Sequence, residues 1–186
     1  MGARERILDA AAALVARSGF EAVNMVAVAR EAGVSRQTVY AHFGGRDELL
    51  SEAMVRVTHQ VLGRLDARIA DVPDAAEYVV ELIVAVRAEC RRHPVLGALL
   101  LADRGSPLFD EETFVRTKPA AERLLVPLLV REPRLAARFG DVVEVILRSA
   151  LSVLLFDSDA VRTDEDLRSF LRWTLLPVLE SAYTRG

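Results

Sequence analysis

An all-α fold is what this sequence predicts, and three observations predict it. Nearly every segment carries apolar residues at the helical period, no run shows the strict alternation of a strand, and helix-starting and helix-stopping residues punctuate the chain at intervals. With 186 residues, 52% of them hydrophobic, the chain can bury a sizeable core. The pattern divides into a small N-terminal head and a larger helical body.

In the head, Ile7, Leu8, Ala11, Leu14, Val15 and Ser18 recur at helical spacing along a helix from Arg4 to Arg17. Gly19 ends it, and Phe20 can fold back on it. Asn24 is placed to cap a second helix by accepting from the free amides of its first turn. Val28, Ala29 and Ala32 form that helix's inner face. Gly33 follows as a left-handed turn residue, and Ser35 caps a third helix that runs through Val39 and Tyr40 to about His42. Gly44 and Gly45 break the chain again. Arg46 then opens a long helix to about Ala70, with Asp47 and Glu48 suited to its positive first turn.

Pro73 separates the body's next element, where Asp74 with Glu77 resembles a capping box. Val79, Leu82, Ile83, Val86 and Cys90 make one apolar stripe; Arg91 and Arg92 suit the last turn, and Pro94 stops the helix. A short helix over 95–102 precedes the breaker Arg104 to Pro107. The segment Phe109 to Val130 is helical, with a kink or break expected at Pro119 and Pro127, and Glu132-Pro133 ends it. The helix from Leu135 or Asp141 to Phe156 is the most apolar. Its polar residues Glu144, Arg148 and Ser152 form one narrow stripe, so burial on more than one side is expected. Thr163, followed by Asp164 to Asp166, caps a last helix that Pro177 should bend.

Composition excludes several classes. The net charge is −3, and the first 50 residues hold six arginines (4, 6, 17, 30, 36, 46) against six acids (5, 9, 21, 31, 47, 48). A bulk basic field is absent, so contact with a polyanion must come from placed groups and helix N-termini. Cys90 is the sole cysteine, which rules out an intramolecular disulfide. No secretory pattern opens the chain, and position 6 is Arg6 where a myristoylation signal wants Ser or Thr. Apolar runs fall short of a membrane span. A cytoplasmic protein without membrane contact is expected. No HExxH, CxxC, phosphate loop or nucleophile elbow is present, and Cys90 with His93 alone cannot complete a metal site. An enzyme is not expected, nor a cofactor or metal.

The segment Asn24 to Phe43 carries the strongest signal. It reads as two short helices joined by a tight turn, the second bearing polar side chains suited to a DNA groove. Arg36 can pair with guanine edges or a phosphate, and Gln37 can read adenine. Thr38 can touch a thymine methyl or a phosphate, Tyr40 and His42 offer polar tips to phosphates, and the helix start at Ser35 presents amides. A helical interaction module that does not bind DNA is the competing reading, left open by the neutral head.

Ile7-Leu8-Asp9-Ala10-Ala11, Gly19-Phe20, Val28-Ala29-Arg30-Glu31-Ala32-Gly33-Val34-Ser35, Val39-Tyr40-x-His42-Phe43 and Asp47-Glu48-Leu49-Leu50 together resemble the head of TetR-type (tetracycline-repressor-like) transcriptional regulators. The likeness covers about 50 residues; the remainder agrees with the family in length and helical pattern. It implies about nine helices, with residues 1–45 as the helix-turn-helix DNA-binding domain and 46–186 as a ligand-sensing and dimerisation domain. It also implies a homodimer on a palindromic operator in double-stranded DNA, most often as a repressor released by a small, largely apolar ligand.

The family's DNA contacts fall on Asn24, Met25, Arg36 to Thr38, Tyr40, His42 and Arg46. Arg46 stands where the family usually has Lys, and Asn24 where it usually has Thr; Met25 and Val26 make that helix start less polar than usual. The implied ligand cavity among the middle helices is assigned to Tyr78, Leu82, Val86, Phe109, Phe114 and Arg148. Dimer contacts are assigned to Val145, Ser149, Ser152, Leu167, Leu171 and Trp173, because a helix apolar on two sides needs a second partner and twofold symmetry is the commonest supply.

Overall fold

The computed structural model describes residues 2–93, 111–156 and 158–184. Among these residues the fold is all-α, with eight α-helices and no strand. They are α1 (Ala3–Ser18), α2 (Met25–Ala32), α3 (Arg36–His42), α4 (Arg46–Ile69), α5 (Ala75–Arg92), α6 (Glu111–Arg131), α7 (Phe139–Leu155) and α8 (Asp164–Thr184), with 3-10 turns at Phe20–Ala22 and Pro133–Arg138. The helix expected over 95–102 lies outside the described residues. The described chain forms two compact units: 2–64 with 90–93, and 65–89 with 111–156 and 158–184.

The first unit is built on the predicted apolar faces. Ile7, Leu8, Ala11, Leu14 and Val15 of α1 meet Val28, Ala29 and Ala32 of α2, Val39 of α3, Phe43, and Leu49 and Ala53 of α4. The caps form as the sequence indicates. Asn24 Oδ1 accepts from the amides of Val26 at 3.1 Å and Ala27 at 2.9 Å, and Ser35 Oγ from the amide of Thr38 at 3.0 Å. Gly33 sits at φ 64°, ψ 38°. Its amide reaches Arg30 O and the Val34 amide reaches Ala29 O, the paired bonds of a Schellman ending. Ion pairs tie the helices from outside: Arg17 with Glu31 between α1 and α2, and Arg4 with Glu52 and Arg56 with Asp9 between α1 and α4.

The second unit centres on α5. The sequence predicts one apolar stripe there, but Val80, Val84 and Ala85 are buried along with Tyr78, Val79, Leu82 and Ile83. Cys90 is only half-buried. The middle of α5 is therefore surrounded, a consequence of neighbours on several sides that periodicity cannot register. Asp74 caps α5 through the Glu77 amide at 2.8 Å, whereas the Glu77 carboxylate is held by Arg172 of α8 at 2.8 and 3.0 Å. One turn on, Glu81 takes Arg168 in the same two-pronged way, so two bidentate pairs bind α5 to α8.

Arg87, 3% exposed, donates to the carbonyls of Val161 and Thr163 and fixes the chain ahead of α8. Thr163 and Asp166 cap α8 reciprocally, each accepting the other's amide.

The structure refines three expectations about helix ends and faces. Of the kink or break expected at Pro119 and Pro127, the break does not occur, since α6 continues through both to Arg131. The most apolar helix, α7, is not buried on two sides within the chain: Val142, Val143, Ile146 and Leu147 are buried, while Val145, Ser149, Ala150 and Leu151 are only half-buried. Leu167 and Leu171, assigned to a dimer contact, are 0% exposed and line up with Leu175 and Leu179 as the inward face of α8. They have no surface left to offer another molecule.

Candidate nucleic-acid interface

The geometry of α3 follows from its two faces. Val39 at 0% and Phe43 at 1% exposure, one turn apart, anchor it to the head core. The opposite side of the helix must then point outward, and Ser35, Arg36, Gln37, Tyr40 and His42 are all exposed. Arg36 and Tyr40, also one turn apart, form a pair. Arg36 Nη2 donates to the Tyr40 hydroxyl at 3.3 Å, and the guanidinium carbon lies 5.4 Å from the ring centroid. The long arginine is thus held over α3 before any ligand arrives. Thr38 is half-buried, with its hydroxyl 2.8 Å from Ser35 Oγ. The helix start is therefore internally bonded, and its outward chemistry is concentrated in Arg36, Gln37, Tyr40 and His42.

The remaining positions assigned to DNA divide. Asn24 is exposed, but its Oδ1 is engaged as the α2 cap, so what it can offer a phosphate is the amide nitrogen. Met25 is 6% exposed and belongs to the head core, which corrects its assignment; Val26, 55% exposed, is the residue of that turn that faces out. The signal for this was present, since Met25, Val28, Ala29 and Ala32 fall at i, i+3, i+4 and i+7, one helical face.

Arg46 is half-buried. Its Nε donates to Val23 O at 2.8 Å and its Nη2 to Phe20 O at 2.8 Å, both toward the head, while its Nη1 donates to the exposed carboxylate of Asp47 at 3.3 Å. No sequence pattern marks the two carbonyl contacts, because those partners lie more than 20 residues away along the chain. Arg4, unassigned by the sequence, pairs with Glu52 and lies over the Phe43 ring at 5.5 Å, closing the underside of the head.

Of the ligand-cavity assignments, Tyr78, Leu82, Val86 and Arg148 fall among the residues whose side chains are described. Tyr78 and Leu82 are buried in α5, and Val86 is half-buried. Tyr78 is a packed anchor: its hydroxyl donates to Leu124 O at 2.7 Å, and Arg131 covers its ring at 4.2 Å. Burial pushes its hydroxyl above the ordinary titration range. Arg131 also reaches the carbonyls of Ala70 and Val72 that follow α4. Arg148, its side chain 66% exposed and paired with Glu144, lies on the surface of α7, because the apolar residues beside it take the inward positions. Phe109 and the side chain of Phe114 lie outside the described residues.

Of the dimer assignments, Val145 and Ser149 are half-buried, Ser152 is exposed and Trp173 is 79% exposed. A shallow groove, mostly apolar, runs between α7 and α8, lined by Val142, Val145, Ile146, Leu175, Val178 and Leu179 among others. Among the described residues no helix is long and apolar enough to cross a membrane, and no group of His, Cys, Asp and Glu is placed to hold a metal.

A head of this geometry defines a class, and comparison with known proteins agrees. The family model for bacterial regulatory proteins of the tetR family matches residues 7–53, the head of the chain. It is similar to an uncharacterized HTH-type transcriptional regulator of Mycobacterium tuberculosis, 27% identical over 183 residues, covering 97% of this chain and 87% of that protein. It is also similar to the HTH-type transcriptional repressor KstR of Rhodococcus jostii, 28% identical over 186 residues, covering 87% of this chain and 86% of that one. Among solved structures, the transcriptional regulator FadR of Bacillus subtilis in complex with stearoyl-CoA has the same fold, at TM-score 0.64 and 18% identity, covering 97% of each chain.

Proposed function

We propose that this TetR-type regulator reads a palindromic operator as a homodimer and represses transcription until a small, largely apolar ligand releases it. The observation that carries the proposal is the outer face of α3, where Arg36, Gln37, Tyr40 and His42 stand exposed on a helix anchored by Val39 and Phe43. That is the polar reading face of a helix-turn-helix unit seated on an apolar core. Residues 1–45 are the DNA-binding domain in this proposal, and 46–186 sense the ligand and dimerise. The repressor KstR among the relatives supports the sign of the response, and the complex of FadR with stearoyl-CoA supports the capacity of the fold to hold an apolar molecule.

Dimerisation uses the outer faces of α7 and α8. Phe170, Trp173 and Val178 leave an exposed apolar stripe on α8, and the half-buried flank of α7 at Val145 and Ser149 lies in the same unit. Two half-sites about one helical turn of DNA apart require two heads. The ligand alters the packing of the body, α4 shifts, and the head spacing ceases to match the operator.

The test is binding to the DNA upstream of the protein's own gene in a mobility-shift assay over a salt series, with Arg36→Ala as the control. Wild type is expected to form a specific, salt-sensitive complex. Arg36→Ala should cost about 1–3 kcal/mol of affinity with an unchanged melting temperature. Binding without sequence preference would sink the operator reading, and no binding at all would mark the chain as an interaction module.

A further inference from the structure

We infer that Arg46 is a positioning residue for DNA binding: it holds the turn that leads into α2 to the first turn of α4, rather than contacting a phosphate. The inference rests on DNA binding by the head, as proposed above.

The Phe20–Ala22 turn is too short to satisfy its own carbonyls, since those at the end of a helical segment have no donor further along. Phe20 O receives the Val23 amide at 3.2 Å. Arg46 supplies a second donor to Phe20 O through Nη2 and a donor to Val23 O through Nε, both at 2.8 Å and partly buried. One planar guanidinium thus fastens two carbonyls at the two ends of the turn. A lysine ammonium, a point donor on a flexible stem, cannot reproduce that fork.

The residue after Val23 is Asn24, whose Oδ1 gathers the amides of Val26 and Ala27 and so starts α2. Val23 itself is 1% exposed. Fixing its carbonyl fixes the direction in which the chain enters α2, the helix that braces α3.

The first three turns of α4 are bound into the head by independent contacts. Leu49 and Ala53 are 0% exposed within its core, and Glu52 and Arg56 are paired with Arg4 and Asp9 of α1. Arg46 adds a tie from α4 to the turn that leads into α2. A displacement of α4 is passed through it to the reading helices.

Two measurements on the full-length protein test this. The first is hydrogen exchange of the free protein, wild type against Arg46→Gln and Arg46→Lys. Both variants should speed exchange of the Val26 and Ala27 amides about tenfold while the α1 amides from Leu8 to Val15 keep their protection. The second is affinity across a salt series for a duplex selected from a random pool by the wild type. Both variants should bind about tenfold more weakly, with the slope of log K against log salt unchanged.

The inference is overturned if Arg46→Gln flattens that slope by about one unit and Arg46→Lys restores slope and affinity, the signature of a phosphate contact. It is equally overturned if exchange at Val26 and Ala27 matches wild type in both variants, or rises no more than it does throughout α1. Should the wild type select no duplex, DNA binding fails, while the exchange experiment still decides what Arg46 holds.

Discussion

At the scale of single residues, the head depends on a few backbone positions with no substitute nearby. Gly33 is one. Nothing lies within 4 Å of where its Cβ would be, yet its φ is +64°, so the demand for glycine comes from the backbone and not from space. Gly33→Ala is expected to cost about 1–2 kcal/mol in urea denaturation, and Gly33→Asn less, since asparagine tolerates that conformation. An alanine variant as stable as wild type would mean the turn can relax. Gly33 and the caps at Asn24 and Ser35 were legible in the sequence because each is a local arrangement of three or four residues. Met25 was assigned to DNA because the family's contacts fall there, although its helical periodicity with Val28, Ala29 and Ala32 places it in the core. The carbonyls that hold Arg46 were not legible, because they meet it only once Phe20 and Val23 have folded against α4.

Among whole elements, α5 and α8 show how apolar content divides between a chain's own core and what it leaves outside. Leu167, Leu171, Leu175 and Leu179, each one turn from the next, are buried, while Phe170, Trp173 and Val178 on the other side are exposed. All of these residues are apolar, and hydropathy alone cannot assign the two faces. Glu77, Glu81, Arg168 and Arg172 settle it by pairing across from α5, which fixes the rotation of α8. The outer face then belongs to the proposed dimer. Trp173→Glu is expected to sediment as a monomer while keeping wild-type helicity by circular dichroism, because the side chain it replaces touches solvent over most of its surface. A dimer that survives the change would move the interface elsewhere.

For the molecule as a whole, the carboxylates set the response to acid. The Glu31 carboxyl is held below its ordinary value by the hydrogen bonds of Arg17. Glu132 is lowered by Arg134, and Asp166 by the amide and then the hydroxyl of Thr163. A carboxyl lowered in the folded state is protonated first in the unfolded chain as pH falls. Its stabilisation is therefore complete above the ordinary value and is lost as pH drops through the folded one. Thermal stability should be flat from neutral pH to about 5 and decline below about 4.5, as followed by melting in buffers of constant ionic strength. A decline that begins above pH 6 would mean that these carboxylates do not set the response.

The sequence by itself determined the helices, their caps, the tight turn at Gly33 and the polar face of α3, because each depends on residues within a turn or two of one another. Only the tertiary structure decided that Met25 is core, that Arg46 fastens a turn, that Tyr78 is an anchored ring under Arg131 and that Leu167 and Leu171 face inward. Those outcomes depend on which segments meet across long stretches of chain, and a side chain's task there is set by what it meets. The helix-turn-helix was readable from the first 50 residues of the chain because a unit of this kind is built from local spacing. The body was not, since its faces acquire meaning only when packed.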